Sequence, residues 1–147
     1  NSISSVPTGV HLLLNQGPIG PGGSAVFADA SANVPASLGT NTTVRLALDV
    51  GDVDQDGDPD VVLGIHELPI GPPPATAGSP VLLLNQGGRQ GGVPAVFALD
   101  ASFVAGTFVA ADVAFGDLDA DGDLDLYLAN SGRLFVPDFQ DRFLRND

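Results

Sequence analysis

Two loops of the chain carry aspartates at alternate positions, a residue type and spacing that suit the binding of a hard divalent cation. Residues 52–60 and residues 117–125 share the pattern D-x-D-x-D-G-x-x-D. Like charges this close together repel one another unless a cation lies between them. Calcium takes six to eight oxygen ligands at about 2.3–2.6 Å, and a glycine at the sixth position of such a loop permits the sharp turn around the ion.

The pattern predicts two Ca²⁺ sites built from oxygen ligands alone. Asp58 and Asp123 are expected to contribute backbone carbonyls, by analogy with the seventh position of a helix-loop-helix calcium loop. Magnesium demands strict octahedral geometry and retains its waters, whereas zinc would call for Cys or His. An acidic, solvated turn without metal is the alternative. The predicted side-chain ligands are Asp52, Asp54, Asp56 and Asp60 in the first loop and Asp117, Asp119, Asp121 and Asp125 in the second.

The composition is that of an acidic chain able to bury a core. It has 147 residues, 44% of them hydrophobic, and a formal net charge of −13. This charge argues against nucleic acids and anionic membrane surfaces as partners, and no apolar run approaches the length of a membrane-spanning helix. The absence of Met leads us to expect a processed chain or a segment of a longer one. Because millimolar calcium outside cells would fill such loops, we expect an extracellular or cell-surface location, in a bacterium.

Short apolar segments recur in the same order around each acidic loop. The run Leu-Leu-Leu-Asn-Gln-Gly at residues 12–17 returns at residues 82–87, and Ala-Val-Phe-Ala at residues 25–28 returns at residues 95–98. Each unit is predicted to contain four short strands. The predicted organisation is an N-terminal loop or arm over residues 1–9, repeat units over 10–80 and 81–140, and the opening strand of a further unit over 141–147.

Several predicted strands are apolar on both faces, which bears on the architecture. Residues 12–14, 61–63 and 82–84 are Leu and Val alone, so both faces of their sheets should be covered. Four-stranded sheets stacked around an axis meet this requirement. The prediction is therefore an all-β fold of β-propeller-type repeats, with two four-stranded blades plus the opening strand of a third. A β-sandwich of eight strands is the alternative. Helices are nearly excluded, since no segment shows a sustained helical period and the chain holds 19 Gly and 12 Pro.

The segment Phe-Gly-Asp-Leu-Asp-Ala-Asp-Gly-Asp-Leu-Asp-Leu at residues 115–126 resembles the FG-GAP or VCBS-type repeats of bacterial surface proteins and of the integrin α-chain propeller. Residues 50–61 share the pattern with Val50 in place of Phe115, and the resemblance covers most of residues 10–147. It implies that each acidic loop joins the first two strands of a blade and binds Ca²⁺ through the ten aspartates named above. Dockerin modules and helix-loop-helix calcium proteins share the loop core, but there a helix follows, whereas strand-like segments follow here.

Two units and the start of a third are too few to close a propeller. Apolar end faces and unpaired strand edges favour association. We expect the missing blades to come from further repeats of a longer chain, or from identical copies assembled into a ring or a filament. Residues 141–147 have no mates within their own segment, and we expect them to complete the sheet of a neighbouring copy by strand addition.

Other chemistry finds little support in the sequence. His11 and His66 have no Ser, Cys or second His at a useful spacing, and the clustered carboxylates are already assigned to metal, so we expect no enzyme activity. The N-glycosylation sequon at Asn41 is more simply a polar loop in a bacterial protein. The Pro-rich loop over residues 69–80 is interpreted as a spacer between strands.

Two classes of function remain open. The first is a calcium-stabilised structural or adhesive element exposed on a cell surface or in an extracellular assembly. The second is a carbohydrate- or protein-binding propeller module that accompanies an exported enzyme. Sugar sites usually need aromatic platforms, and this chain has no Trp and one Tyr. The structural or adhesive class is therefore preferred.

Overall fold

The computed structural model describes residues 9–18, 23, 25–38, 47–64, 79–88, 92–105, 110–130 and 140–147. The predictions for Asn41 and His66, for most of the arm over residues 1–9 and for most of the Pro-rich loop lie outside these ranges. The chain forms two compact units, Asn1–Thr42 and Thr43–Asp147. The strand content of both units confirms the all-β class. Within the described ranges, no helix has the length and apolarity needed to cross a membrane.

All strand pairs in the described residues are antiparallel. The first unit holds a two-stranded sheet and two short 3₁₀ turns, Ser31–Asn33 and Ala36–Leu38. The second unit holds a four-stranded sheet and a three-stranded sheet, each with its strands in sequence order. The strands are β1 (Leu13–Pro18) and β2 (Ala25–Asp29) in the first unit, then β3 (Leu48–Gly51), β4 (Asp60–Leu63), β5 (Val81–Asn85) and β6 (Phe97–Leu99) in one sheet, and β7 (Ala110–Gly116), β8 (Asp125–Asn130) and β9 (Arg142–Leu144) in the other.

The sheets cross the unit boundaries expected from the sequence. Strands β5 and β6, expected to open a second unit at residue 81, pair with β4 in the same sheet as β3. Strand β9, expected to lack a mate in this chain, pairs with β8 through Leu126–Leu144 and Tyr127–Phe143. That expectation was wrong, because a repeat in the sequence gives a period but not the strand at which a sheet begins.

Residues at matching positions of the recurring segments pair in the same register. Leu48 lies opposite Leu63 in the four-stranded sheet, and Val113 lies opposite Leu128 in the three-stranded sheet. The third strand of each sheet also pairs with the second strand in the same register, and β1 pairs with β2 in the register in which β5 pairs with β6. The further matching pairs are Val61–Leu83 with Leu126–Leu144, Val62–Leu82 with Tyr127–Phe143, and Leu13–Asp29 with Leu83–Leu99.

The core of the second unit lies between its two sheets. One face of the four-stranded sheet packs against one face of the three-stranded sheet. Fully burying a Val or Leu side chain contributes about 1.5–3 kcal/mol to stability. Gly64 permits the two sheets to approach closely at this point, because a Cβ on residue 64 would lie 2.9 Å from Ala47 Cβ and 3.1 Å from the Ala110 carbonyl oxygen. The buried cluster comprises Ala47, Val62, Leu82, Ala105, Ala110, Val113, Leu126 and Leu128.

The prediction that the Leu and Val runs are covered on both faces is confirmed for two of the three. In β4, the neighbours Val62 and Leu63 point to opposite faces and both are buried. In β5, Leu82 and Leu83 are likewise both buried. The prediction was wrong for β1, where Leu13 is 57% exposed. Its two-stranded sheet leaves that face open to solvent.

Candidate metal centre

Each acidic loop connects the first two strands of a sheet in the second unit, as the resemblance implies. The loop ends are held together by the strand pairs Gly51–Asp60 and Gly116–Asp125. Gly57 and Gly122, the predicted turn glycines, have φ of +91° and +102°. The prediction that these positions need glycine is therefore confirmed, since such angles lie in the left-handed region that glycine adopts at little cost.

A second left-handed position lies two residues before each glycine and was not expected. Gln55 has φ of +59°, and Ala120 has φ of +65°. Such a conformation costs an L-residue about 1–2 kcal/mol. The loop closes tightly enough to impose it on both residues.

Replacing Ala120 by glycine is expected to stabilise the chain. The strain relieved exceeds the extra entropy that glycine gains in the unfolded state, so the free energy of unfolding should rise by about 0.5–1 kcal/mol. Urea denaturation measures this change. The control is Ala111→Gly at an exposed position of β7, which should lower the free energy of unfolding by about 0.5–1 kcal/mol. A loss of stability in Ala120→Gly would contradict the strained geometry.

The aspartate at the ninth position anchors each loop to its sheet. Asp60 is fully buried, and its two carboxylate oxygens accept hydrogen bonds from the N–H of Val53 at 2.9 Å and from the N–H of Asn85 at 2.8 Å. In the second loop, Asp125 is buried as well. Its carboxylate accepts from the N–H of Leu118 and from the N–H of Asn146, both at 2.9 Å. The first loop is thereby tied to β5, and the second loop is tied to the segment that directly follows β9.

Three carboxylates converge in each loop. The first, third and ninth positions supply Asp52, Asp54 and Asp60, each with one oxygen within 4.8 Å of the others. The second loop gathers its carboxylates in the same way. This spacing is short enough for one cation to contact all three oxygens. The residues of the second set are Asp117, Asp119 and Asp125.

One oxygen in the first loop has no hydrogen-bond partner. Asp52 Oδ2 accepts from the N–H of Gly57 at 3.0 Å, whereas Asp52 Oδ1 is buried and unsatisfied. In the second loop, the corresponding carboxylate of Asp117 accepts through both oxygens, from the N–H groups of Asp121 and Gly122. A buried carboxylate oxygen without a partner is costly. A cation among the three carboxylates would satisfy it, so the residues present fit a metal ion.

The other predicted ligands lie outside these two trios. The carboxylate of Asp56 accepts from the N–H of Asp58 at 2.8 Å, and Asp58 is buried. The carboxylate of Asp123 accepts a hydrogen bond from the side-chain amide of Gln55 in the other loop. Asp121 instead belongs to a third cluster, which comprises Asp119, Asp121 and Asp147.

Arg145 and Asp147 are the charged residues that sequence reasoning missed. Arg145 Nε lies 2.8 Å from Asp119 Oδ2, and a terminal nitrogen of its guanidinium lies 3.9 Å from Asp121. Asp147 also pairs with Arg145. Leu144 and Leu83 hold equivalent positions in the two sheets, so Arg145 holds the position that Leu84 has in the four-stranded sheet. The second loop therefore has a guanidinium beside it, whereas the equivalent residue of the first sheet is a leucine that packs against the core cluster.

Comparison with known proteins gives no further guide to this site. No family model matches the chain, and no curated protein or solved structure matches it. The resemblance to calcium-binding propeller repeats therefore stays a prediction. The function has to be argued from the loops themselves.

The electrostatics of the ion-free loops give the chain a characteristic pH dependence. Burial raises the pKa of Asp60 above its ordinary value, although the N–H groups of Asn85 and Val53 oppose the shift. Burial also raises the pKa of Asp54. In the second loop, the N–H groups of Asn146 and Leu118 lower the pKa of Asp125.

The metal-free chain is expected to gain stability as the pH falls from 7 to about 4. Asp60 and Asp54 hold protons more tightly in the folded state than in the unfolded state, so acidification favours folding until both states are protonated. The lowered pKa of Asp125 opposes this gain mainly as the pH falls to the ordinary aspartate value of about 3.9 and below it. Urea midpoints in chelator across this range measure the slope. Asp60→Asn should flatten it, and an equal slope in that variant would contradict the assignment.

Proposed function

We propose that this chain is an extracellular, calcium-stabilised β-propeller repeat that acts as a structural or adhesive surface or assembly protein. The observation that carries the proposal is the trio of carboxylates at Asp52, Asp54 and Asp60, with a buried oxygen of Asp52 left unsatisfied. An ion bound there would hold the first two strands of the sheet and, through Asp60, the third. Its role would be to stabilise the fold.

Calcium is the ion that suits this ligand set best. The ligands are all oxygens, and they lie on a loop of irregular backbone instead of a rigid octahedral frame. Three carboxylates from the trio leave room for further oxygens from the loop backbone, from the remaining aspartates and from water, which would complete the six to eight ligands that calcium takes. Zinc would need His or Cys, and neither is present in these loops.

The propeller architecture is proposed from the way the two sheets of the second unit are related. Both place the acidic loop between the first two strands, both use the same strand register, and one stacks on the other through a buried core. Repetition of this stacking around an axis produces a propeller. Closure needs more blades than two, which further repeats or further copies would supply.

Calorimetric titration with CaCl₂ tests the metal sites. The expected result is two ions per chain, falling to one in Asp52→Ala and to one in Asp117→Ala. Titration with MgCl₂ under the same conditions should give much weaker heats. Asp100→Ala is a matched control, because Asp100 belongs to neither trio and its carboxylate accepts from the N–H of Ser102. A wild-type chain that binds no calcium would remove the basis of the proposal.

The two sites should differ in affinity because Arg145 lies beside the second loop. Its guanidinium pairs with Asp119, one of the three converging carboxylates, so calcium must displace that interaction or bear its repulsion. Arg145→Gln is expected to tighten the weaker calcium site by about tenfold, the equivalent of about 1.4 kcal/mol. The stronger site in the same titration is the internal control. An unchanged weaker site would show that Arg145 does not oppose the ion.

A carbohydrate-binding module is the second candidate. It is favoured by one observation, the exposed ring of Phe143 with its centroid 4.8 Å from that of Tyr127. Paired aromatic rings are a common platform for sugars. Calcium-dependent binding on a glycan array, lost in Phe143→Ala, would favour this function over the structural one.

A further inference from the structure

The three-stranded sheet has an apolar groove on the face turned away from the core. The groove has a volume of about 370 Å³. Phe143 on β9 is 68% exposed there, and Leu118 and Ala114 are exposed as well. Several apolar side chains exposed next to one another are typical of a surface that binds another apolar surface. The lining residues are Ala114, Phe115, Gly116, Leu118, Tyr127 and Phe143.

The face of the four-stranded sheet that is equivalent to this groove is covered by another sheet. Tyr127 and Phe143 pair across β8 and β9 in the register in which Val62 and Leu82 pair across β4 and β5. Val62 and Leu82 are buried in the core because the three-stranded sheet packs over them. Phe143 occupies the position of Leu82, but it is 68% exposed, and none of the three sheets in the described residues packs over it. The groove therefore corresponds to an interface that the chain already forms once.

The β1–β2 sheet carries a residue at the position by which the three-stranded sheet covers the four-stranded sheet. Leu144 of the three-stranded sheet packs against the core cluster. The register places Leu83 and Leu13 at the position of Leu144 in the other two sheets. Leu13 is 57% exposed, and Phe27 is also 57% exposed. Phe27 lies opposite Asn15, so it shares a face of the β1–β2 sheet with Leu13.

We propose that a second copy of this chain docks the Leu13 and Phe27 face of its β1–β2 sheet onto the groove around Phe143. This contact would place Leu13 at the position that Leu144 has in the internal interface, and Phe27 on the neighbouring strand would extend the apolar surface beside it. It joins two different surfaces of the same chain, so the association is head-to-tail and can continue to a ring or a filament. Each copy carries a formal net charge of −13, so salt should strengthen the association by screening the repulsion.

The polar groups at the groove favour an apolar partner over a sugar. The hydroxyl of Tyr127 donates a hydrogen bond to Asp141 at 2.5 Å. This hydroxyl is the polar group at the groove that is best placed to bind a polar ligand, and the hydrogen bond already uses its proton. The carboxylate of Asp141 also accepts from the N–H of Asn130 at 2.9 Å. What faces solvent in the groove is mainly apolar surface. A second copy offers the exposed side chains of Leu13 and Phe27 for this surface, with Asp29 beside Leu13 on the same face.

Sedimentation velocity of the whole chain over a range of concentrations tests the proposal. The wild-type chain is expected to form dimers and larger species, more so at higher salt. Leu13→Asp and Phe143→Asp should each weaken the association by about tenfold or more. Because each variant retains the surface that the other lacks, an equimolar mixture should form a 1:1 dimer that does not extend.

Controls separate the docking surfaces from folding and from calcium. Val104 is 78% exposed outside both surfaces, so Val104→Asp should associate like the wild type. Ala114→Glu, at a second position in the groove, should act as Phe143→Asp does, with circular dichroism confirming that each variant folds. Runs with and without calcium distinguish failure of this contact from failure of the proposed metal function. A monomeric wild type, variants that associate normally, a mixture without dimers, or Phe143-dependent binding of a glycan would each overturn the proposal.

Discussion

The chain is expected to melt about 10–20 °C lower in chelator than in excess calcium. An ion that binds only the folded state stabilises it by about 2.7 kcal/mol at a hundredfold excess over its Kd. Two sites therefore contribute about 5 kcal/mol, and each kcal/mol shifts the melting temperature of a domain of this size by about 2–4 °C. Differential scanning calorimetry in calcium and in chelator measures the difference.

The Asp52→Asn substitution is expected to change the melting temperature in opposite directions in calcium and in chelator. In calcium the variant loses a charged ligand, so it should melt below the wild type. In chelator it replaces a carboxylate whose Oδ1 is buried and unsatisfied, so it should melt at or above the wild type. Asp100→Asn, outside both trios, should keep the full wild-type difference between calcium and chelator. Equal melting temperatures of the wild type in the two buffers would contradict a structural role for the ion.

Leu128→Ala is expected to lower the free energy of unfolding by about 2–5 kcal/mol. Leu128 has a relative exposure of 0% and lies in the cluster between the two sheets of the second unit. Truncation leaves a cavity against Val113 and the four-stranded sheet, since close-packed neighbours relax only in part. The urea midpoint should fall while the slope stays the same.

The control for this variant is Val104→Ala. Val104 is exposed, and surface substitutions of this kind change stability by about 0.5 kcal/mol or less. A loss in Leu128→Ala as small as that of the control would show that the two sheets do not share a packed core. A large loss in both variants would point instead to an interface at Val104.

The local elements of the fold were predictable because their signals are local. The Leu and Val runs predicted strands at residues 61–63 and 82–84, and the structure has them at Asp60–Leu63 and Val81–Asn85. The grouping of strands into sheets was not predictable in the same way. Strand β9 pairs with β8 across residues 131–139, and nothing in a recurring pattern states which strand opens a sheet.

The candidate site was predictable to the same degree. Spacing alone identified the loops and the need for glycine at Gly57 and Gly122. Arg145 was missed because it reaches Asp119 through the pairing of β9 with β8, a contact distant in sequence. The left-handed backbone at Ala120 was missed because the residue type gives no sign of it. Closure of the loop imposes that conformation.

The central claim is that calcium occupies both acidic loops, and an X-ray structure of crystals grown with calcium tests it most directly. Anomalous difference density should show one peak among Asp52, Asp54 and Asp60 and one among Asp117, Asp119 and Asp125, with oxygens at about 2.3–2.6 Å. Data from crystals washed in chelator should lose both peaks. Calcium-grown crystals with no peak in either loop would contradict the account.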